Sequence, residues 1–370
     1  MEQVRSGNGG GTIMTYVLTF LIALVIAVVA TPVSMKLAKR CGAIAYPGGR
    51  HVHSRPIPRL GGIALYAAFW IAALLIQEWD KSYVLDALSI VQIWGLFIGS
   101  TIIMVVGIWD DIREIRPLIK LFWQIAAAAV LLFFHFSMDV ISLPFDRSLD
   151  FGALGLSAIG LILMLFWVVS LVNTVNISDG LDGLAAGICF MVALLLFWSA
   201  NGIDQVPAAH LTLALAGALL GFLVFNFPPA RVFMGDSGSM FLGYIIGGIS
   251  IMGLLKTATI LGLVFPLLVM GMPVTDLTFA IIRRKLRGQS MATADRGHLH
   301  HRLLDAGLTQ RQAVLSMYGI SACFGMSAVL GAMGQWIWTL TVLGVVFTLL
   351  IIILMRRTAM LAVFSRRHSK

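Results

Sequence analysis

Residues 88–114 read LSIVQIWGLFIGSTIIMVVGIWDDIRE, with no charge between Leu88 and Trp109 and then Asp110, Asp111, Arg113 and Glu114 together. About 20 apolar residues in a helix cross roughly 30 Å of hydrocarbon. The stretch therefore reads as a span over 88–108 with acids collected at its edge. Ionisable groups at a membrane boundary are costly, and they usually serve a function.

The rest of the chain repeats this pattern. Of its 370 residues, 59% are hydrophobic and 12% charged, against about 25% charged in soluble proteins. A soluble domain cannot bury that much apolar surface. Eleven spans are expected, near 14–36, 61–77, 88–108, 119–137, 157–176, 181–200, 208–226, 237–255, 257–283, 313–333 and 336–356. The fold class is all-α, a polytopic transmembrane bundle forming one helical membrane domain over 14–356. Residues 1–13 read as a polar extension without a secretory cleavage pattern, and 357–370 as a basic tail. Cys41, Cys189 and Cys323 are scattered and suggest neither a disulfide framework nor a metal spacing.

Orientation follows from the basic residues. All but four of the 26 Lys and Arg residues fall in one alternate set of connections and the tail; the exceptions are Arg5, Lys81, Arg147 and Lys256. That set, with loops at 37–60, 109–120, 177–180, 227–236 and 284–312, is expected to be cytoplasmic, with the N-terminus outside and the C-terminus inside. The net charge of +9 is thereby a topology signal, and no nucleic-acid partner is needed to explain it. The acids Asp110, Asp111, Glu114, Asp179, Asp182, Asp236 and Asp276 map to the same side.

Five constellations there carry chemistry. Asp110 and Asp111 repel each other and call for a cation, for Lys120 or for a shared proton. Asn173, Asn176 and Asp179 fall three apart on one helical face, followed by Gly180, Asp182 and Gly183. Amide and carboxylate oxygens are what a hard cation prefers. Asp236, after Pro228 and Pro229, starts a helix, where an Asp caps N–H groups and where phosphate also binds. His298, His300, His301 and Arg302 form a cationic cluster suited to phosphate and sugar hydroxyls. His53, Arg55 and Arg59 lie in a rigid Arg-Pro-x-Pro-Arg loop that suits a lipid phosphate.

Taken in order and on one side, these motifs resemble the polyprenyl-phosphate N-acetylhexosamine-1-phosphate transferases of glycosyltransferase family 4, the WecA/TagO-like enzymes. The likeness covers about residues 40–315. It implies a UDP-sugar donor, Mg²⁺ (with Mn²⁺ as a substitute), undecaprenyl phosphate as acceptor and a cytoplasmic site at the plasma membrane. Asp110, Asp111 and Lys120 match the catalytic positions, with either aspartate a candidate base. Glu114 stands where the family often has Asp. Asn176 and Asp236 match the Mg²⁺-holding residues. Asn173, Asp179, Asp182, His298, His300, His301 and Arg302 match the nucleotide and sugar positions. The product expected is polyprenyl-diphospho-GlcNAc, the first membrane step of an envelope glycan such as teichoic acid or O-antigen. The rivals are a phospho-MurNAc-pentapeptide transferase and, from another class, a secondary transporter. The oligomeric state is open, a homodimer included.

Overall fold

The computed structural model describes residues 9–47, 55–79, 87–138, 140–143, 147–252, 266, 270, 303–304 and 307–348. Ten helices account for nearly all of them: α1 (Gly9–Cys41), α2 (Gly61–Trp79), α3 (Ala87–Arg113), α4 (Pro117–Phe133), α5 (Ser157–Ser178), α6 (Leu184–Gly202), α7 (Val206–Asn226), α8 (Gly235–Met252), α9 (Gln310–Ala332) and α10 (Trp336–Thr348). Six of these, α1, α3, α5, α6, α7 and α9, are long and apolar enough to cross a membrane. Hydrocarbon offers no partner for backbone N–H and C=O groups, so an apolar chain meets that demand by coiling into helices.

Ten of the expected spans thus coincide with helices, and the eleventh, 257–283, lies outside the described residues except for Pro266 and Met270. Several boundaries differ. α3 continues to Arg113, so Asp110 and Asp111 sit in its last turn rather than in a loop. α4 begins at Pro117, whose fixed φ suits a first helical position, and ends at Phe133. The turn between α5 and α6 is longer than expected, running from Asp179 to Gly183, so Asp182 belongs to the turn. Two hairpins add a little strand: β1 (Ile44–Ala45) pairs antiparallel with β2 (Ile57–Pro58), and β3 (Val140–Leu143) pairs antiparallel with β4 (Arg147–Asp150).

α8 is the centre of the bundle. It packs on α2, α3, α5, α6 and α7, and every side chain from Ser237 to Met252 is buried. Its sequence, GDSGSMFLGYIIGGISIM, explains this. Small residues around the helix let neighbouring backbones approach closely, which is how helices associate without a hydrophobic force between them. Polar side chains tie the neighbours to it and to one another. Trp167 Nε1 of α5 donates to Ser250 Oγ at 2.9 Å, and Tyr244 Oη donates to the Ala127 carbonyl of α4 at 3.1 Å. Trp70 Nε1 of α2 donates to Ser100 Oγ of α3 at 3.1 Å. Such bonds contribute about 0.6 kcal/mol each; their larger effect is to set register around the helix that starts at Asp236.

Candidate active site

The α3–α4 turn brings the first acid and the lysine together. α3 ends at Arg113, and Glu114 adopts φ 45. The chain turns sharply there, and Asp110 Oδ1 accepts the Ile115 N–H at 2.8 Å. Pro117 then starts α4, placing Lys120 one turn in. Its ammonium lies 2.5 Å from Asp110 Oδ2 and 2.6 Å from Asp236 Oδ2. One lysine therefore bridges the end of α3 and the start of α8. The Lys120 and Asp236 side chains are about a quarter exposed, 24% and 25%, so the bridge faces open space.

Asp111 does something different. Its Oδ1 accepts the Asp236 N–H at 2.8 Å, and its Oδ2 accepts the Ser237 N–H at 3.1 Å and Ser237 Oγ at 2.7 Å. The first N–H groups of a helix have no partner within it. Here a carboxylate from α3 satisfies them, and the helix dipole favours the negative charge. The sequence suggested that Asp236 caps its own helix; the cap comes from Asp111, which leaves the Asp236 carboxylate to Lys120. Gly235 makes this arrangement possible. It has φ +70, and a Cβ there would collide with the Arg59 carbonyl and with the Asp111 carboxylate.

The Arg59 segment reaches the site through backbone pairing. Phe233 N–H donates to the Pro58 carbonyl at 2.8 Å, Gly61 N–H to the Phe233 carbonyl at 3.0 Å, and Gly62 N–H to the Met234 carbonyl at 2.9 Å. Arg59 Nη1 lies 3.9 Å from Glu114 Oε1. Arg55 is exposed on the same segment, and His53 lies outside the described residues.

From the α5 side, Asn176 Nδ2 donates to Ser239 Oγ at 2.9 Å. With its N–H₂ group used this way, the amide is oriented and its oxygen remains an acceptor; the side chain lies close enough to Asp236 to hydrogen-bond it. Asp179 ends α5 beside the cluster. Loss of water, followed by the charges of Asp236, Asp111 and Asp182, pushes its carboxyl up to about 8, with Arg59 pulling the other way. Asp110, Asp111, Asp179, Asp182 and Asp236 thus outnumber Lys120 and Arg59.

Residues 93–254, the stretch that contains all of these groups except the Arg59 segment, match the family model of glycosyl transferase family 4. A probable undecaprenyl-phosphate N-acetylglucosaminyl 1-phosphate transferase of Bacillus subtilis (strain 168) is 34% identical, over 85% of this chain and 84% of its own length. A decaprenyl-phosphate N-acetylglucosaminephosphotransferase of Mycolicibacterium smegmatis is 35% identical, over 94% of this chain and 90% of its own. The chain belongs to the polyprenyl-phosphate N-acetylglucosamine-1-phosphate transferases. A phospho-N-acetylmuramoyl-pentapeptide-transferase of Listeria innocua is 31% identical, over 63% of this chain and 74% of its own length.

Within this family member, the excess of carboxylates and the oriented Asn176 oxygen fit a hard divalent cation, which Asn176 and Asp236 could hold. Among the described residues no group of three or more His, Cys, Asp or Glu side chains is arranged to hold a metal by itself. Two protein ligands, with phosphate and water completing the shell, is the usual pattern for Mg²⁺. Other expected residues have packing duties. Asn173 Nδ2 donates to Gln124 Oε1 at 2.7 Å and to the Val169 carbonyl at 2.8 Å, so its amide N–H₂ joins α4 to α5 one turn below Asn176. Asp182 Oδ2 accepts the Ala230 N–H at 2.9 Å, which ties the α5–α6 turn to the Pro228–Pro229 loop. His298, His300, His301 and Arg302 lie outside the described residues; Leu303, the next residue, is buried in the core. Ser237 and Ser239 were not singled out from sequence. The Asp-Ser-Gly-Ser run was visible, but which carboxylate and which amide those hydroxyls meet depends on how the helices pack.

Proposed function

We propose that this chain transfers N-acetylglucosamine-1-phosphate from UDP-GlcNAc to undecaprenyl phosphate, releasing UMP, at the cytoplasmic face of the plasma membrane. The product would open the synthesis of a cell-envelope glycan. The observation that carries the reading is the Lys120 ammonium bridging Asp110 and Asp236 at the mouth of the cluster. The names of the two N-acetylglucosamine-phosphate transferases compared above supply the substrates, and the basic loops supply the orientation.

The reaction forms a bond from a lipid-phosphate oxygen to the sugar-side β-phosphorus and breaks the bond from that phosphorus to the oxygen bridging to UMP. Phosphoryl transfer chiefly requires alignment and charge stabilisation. Asn176 and Asp236 would hold Mg²⁺, whose positive charge would stabilise the diphosphate. Lys120 supplies a second positive charge and is released from its carboxylates as phosphate arrives. That release exposes Asp110 Oδ2, which makes Asp110 the base; both Asp111 oxygens are committed to α8. The demand on the base is modest, since a phosphate monoester has its second pKa near 6. Asp179, its carboxyl pushed up to about 8 by burial and the neighbouring acids, would donate a hydrogen bond to the nucleotide when protonated. Arg59 with Arg55 and His53 would hold the lipid phosphate, and His298, His300, His301 and Arg302 the sugar and its phosphate.

A secondary transporter would place its ionisable groups near the bilayer midplane. Here they meet at helix ends. The test is to incubate membranes with UDP-GlcNAc, polyprenyl phosphate and Mg²⁺, using the intact protein and Asp236→Ala. UMP from the intact protein alone supports the reading. UMP from neither, with any UDP-hexosamine, overturns it.

A further inference from the structure

α9 follows the His298–Arg302 cluster and contributes no residue to the cluster of acids, yet two of its side chains grip both loops beside that cluster. Arg311 Nε donates to the Pro228 carbonyl at 2.7 Å, and Tyr318 Oη donates to the Gly183 carbonyl at 2.5 Å. Arg311 and Tyr318 are seven residues apart, two helical turns, and so lie on one face of α9. The two loops they hold are already joined, because Asp182 accepts the Ala230 N–H. The contacts close a ring: Arg311 to Pro228, along the chain to Ala230, across to Asp182, on to Gly183, and back through Tyr318 to α9.

Each contact is specific to its partner. The Tyr318 ring fits because position 187 is glycine; a Cβ there would collide with the ring and hydroxyl. The Gly183 carbonyl is also the acceptor for the Gly187 N–H at 2.9 Å, the first bond of α6. Tyr318 therefore bonds the very group that starts the helix after Asp179 and Asp182. The N-terminal end of α9 is set just as firmly. Thr309 and Gln312 form a reciprocal capping box, which fixes where the helix begins. Upstream, Leu303 is buried, and Leu304 and Leu308 pack on the core. Leu303, Leu304, Leu308, Arg311 and Tyr318 are thus all anchored.

We propose that Arg311 and Tyr318 are positioning residues: α9 is a brace that holds the Asp179–Gly183 turn and the Pro228–Ala230 loop in one register, and so sets the affinity for the sugar-nucleotide donor. The Pro58–Gly62 segment pairs instead with Phe233 and Met234, beyond the stretch that the ring contains. The brace therefore acts on the donor more than on the lipid phosphate. This rests on the assignment of the acidic turn to the nucleotide sugar.

The test measures steady-state UMP release by purified full-length protein for wild type, Tyr318→Phe, Arg311→Met, Arg311→Lys and the Tyr318→Phe/Arg311→Met double variant. Tyr318→Phe keeps the ring in its recess and removes only the hydroxyl. Expected are a rise of about three- to tenfold in KM for UDP-GlcNAc, a smaller fall in kcat, and KM for polyprenyl phosphate within twofold of wild type. Arg311→Lys, which can still donate to a carbonyl, should recover most of the loss. The double variant should lose less than the product of the single losses, as members of one network do. An unchanged donor KM, or equal effects on both substrates, overturns the brace. Should Arg311→Met fail to accumulate, Tyr318→Phe and Arg311→Lys decide the matter. A wild type that releases no UMP overturns the assigned function instead, so the two failures are distinguishable.

Discussion

Asp111 accepts the backbone N–H of Asp236 at 2.8 Å, while the carboxylate of Asp236 points away to Lys120. Two acids far apart in the chain are thereby given different tasks: one holds the helix start and the other pairs with Lys120. The same contact separates Asp111 from its neighbour Asp110, although the sequence presents them as equivalent.

Asp111→Asn should damage the fold, and Asp110→Asn the chemistry. An amide at Asp111 directs an N–H₂ group at the N–H donors of α8, and an unsatisfied buried group costs about 1–3 kcal/mol. Its melting temperature in detergent should fall by several degrees, with activity following. Asp110→Asn should melt closer to wild type and lose about 10²-fold or more in kcat, the scale of a general base. An Asp111→Asn protein that melts like wild type yet releases no UMP would return the base to Asp111.

In the proposed mechanism Lys120 competes with a divalent cation for the Asp236 carboxylate. Lys120→Met should therefore lower kcat by about 10²-fold while reducing the Mg²⁺ concentration needed for half-maximal rate. A Mg²⁺ titration of UMP release reads both effects. If more Mg²⁺ were needed by the variant, the lysine would be assisting metal binding rather than competing with it.

Ser239 holds the Asn176 amide in the orientation that leaves its oxygen for a metal. Groups that orient a metal ligand typically affect affinity by about 10–100-fold. Ser239→Ala should raise the Mg²⁺ requirement about tenfold, with most of the rate restored at saturating metal. Loss of rate that no metal concentration restores would place Ser239 in another role.

Asp179 adds a pH dependence to stability. Its carboxyl is raised from 3.8 to about 8 in the folded chain, so between those values the folded state binds the extra proton. Stability then falls as pH rises through that window and levels off above it. In EDTA, Asp179→Asn should melt higher than wild type by a margin that grows from pH 5 to pH 9. A margin independent of pH would show that Asp179 is already ionised at pH 5.

The helices were legible because apolar runs bounded by charge and proline leave the backbone one solution in hydrocarbon. Edges were less so. The extension of α3 through Asp110 and Asp111 breaks the hydropathy rule, since the cost of burying those acids is offset by Lys120 and by the N–H groups of α8, both supplied from elsewhere. The α5–α6 turn came out longer than expected because Gly183, with φ +73, starts α6 later than hydropathy alone suggests. Arg311 and Tyr318 carried no signal, because their partners are backbone carbonyls, which every residue has.

The order and type of the chemical groups were determined by the sequence alone: an acid pair, a lysine soon after it, an asparagine-rich helix end and an aspartate after two prolines. These are local facts of composition and spacing, and they suffice to recognise the family. The tertiary structure decided the division of labour. Capping, bridging and bracing depend on which helix ends lie within about 3 Å of one another, a hydrogen-bond distance that spacing along the chain does not encode. Only the packing around α8 made Asp111 a cap, Asp236 a partner of Lys120, and α9 a brace for two loops.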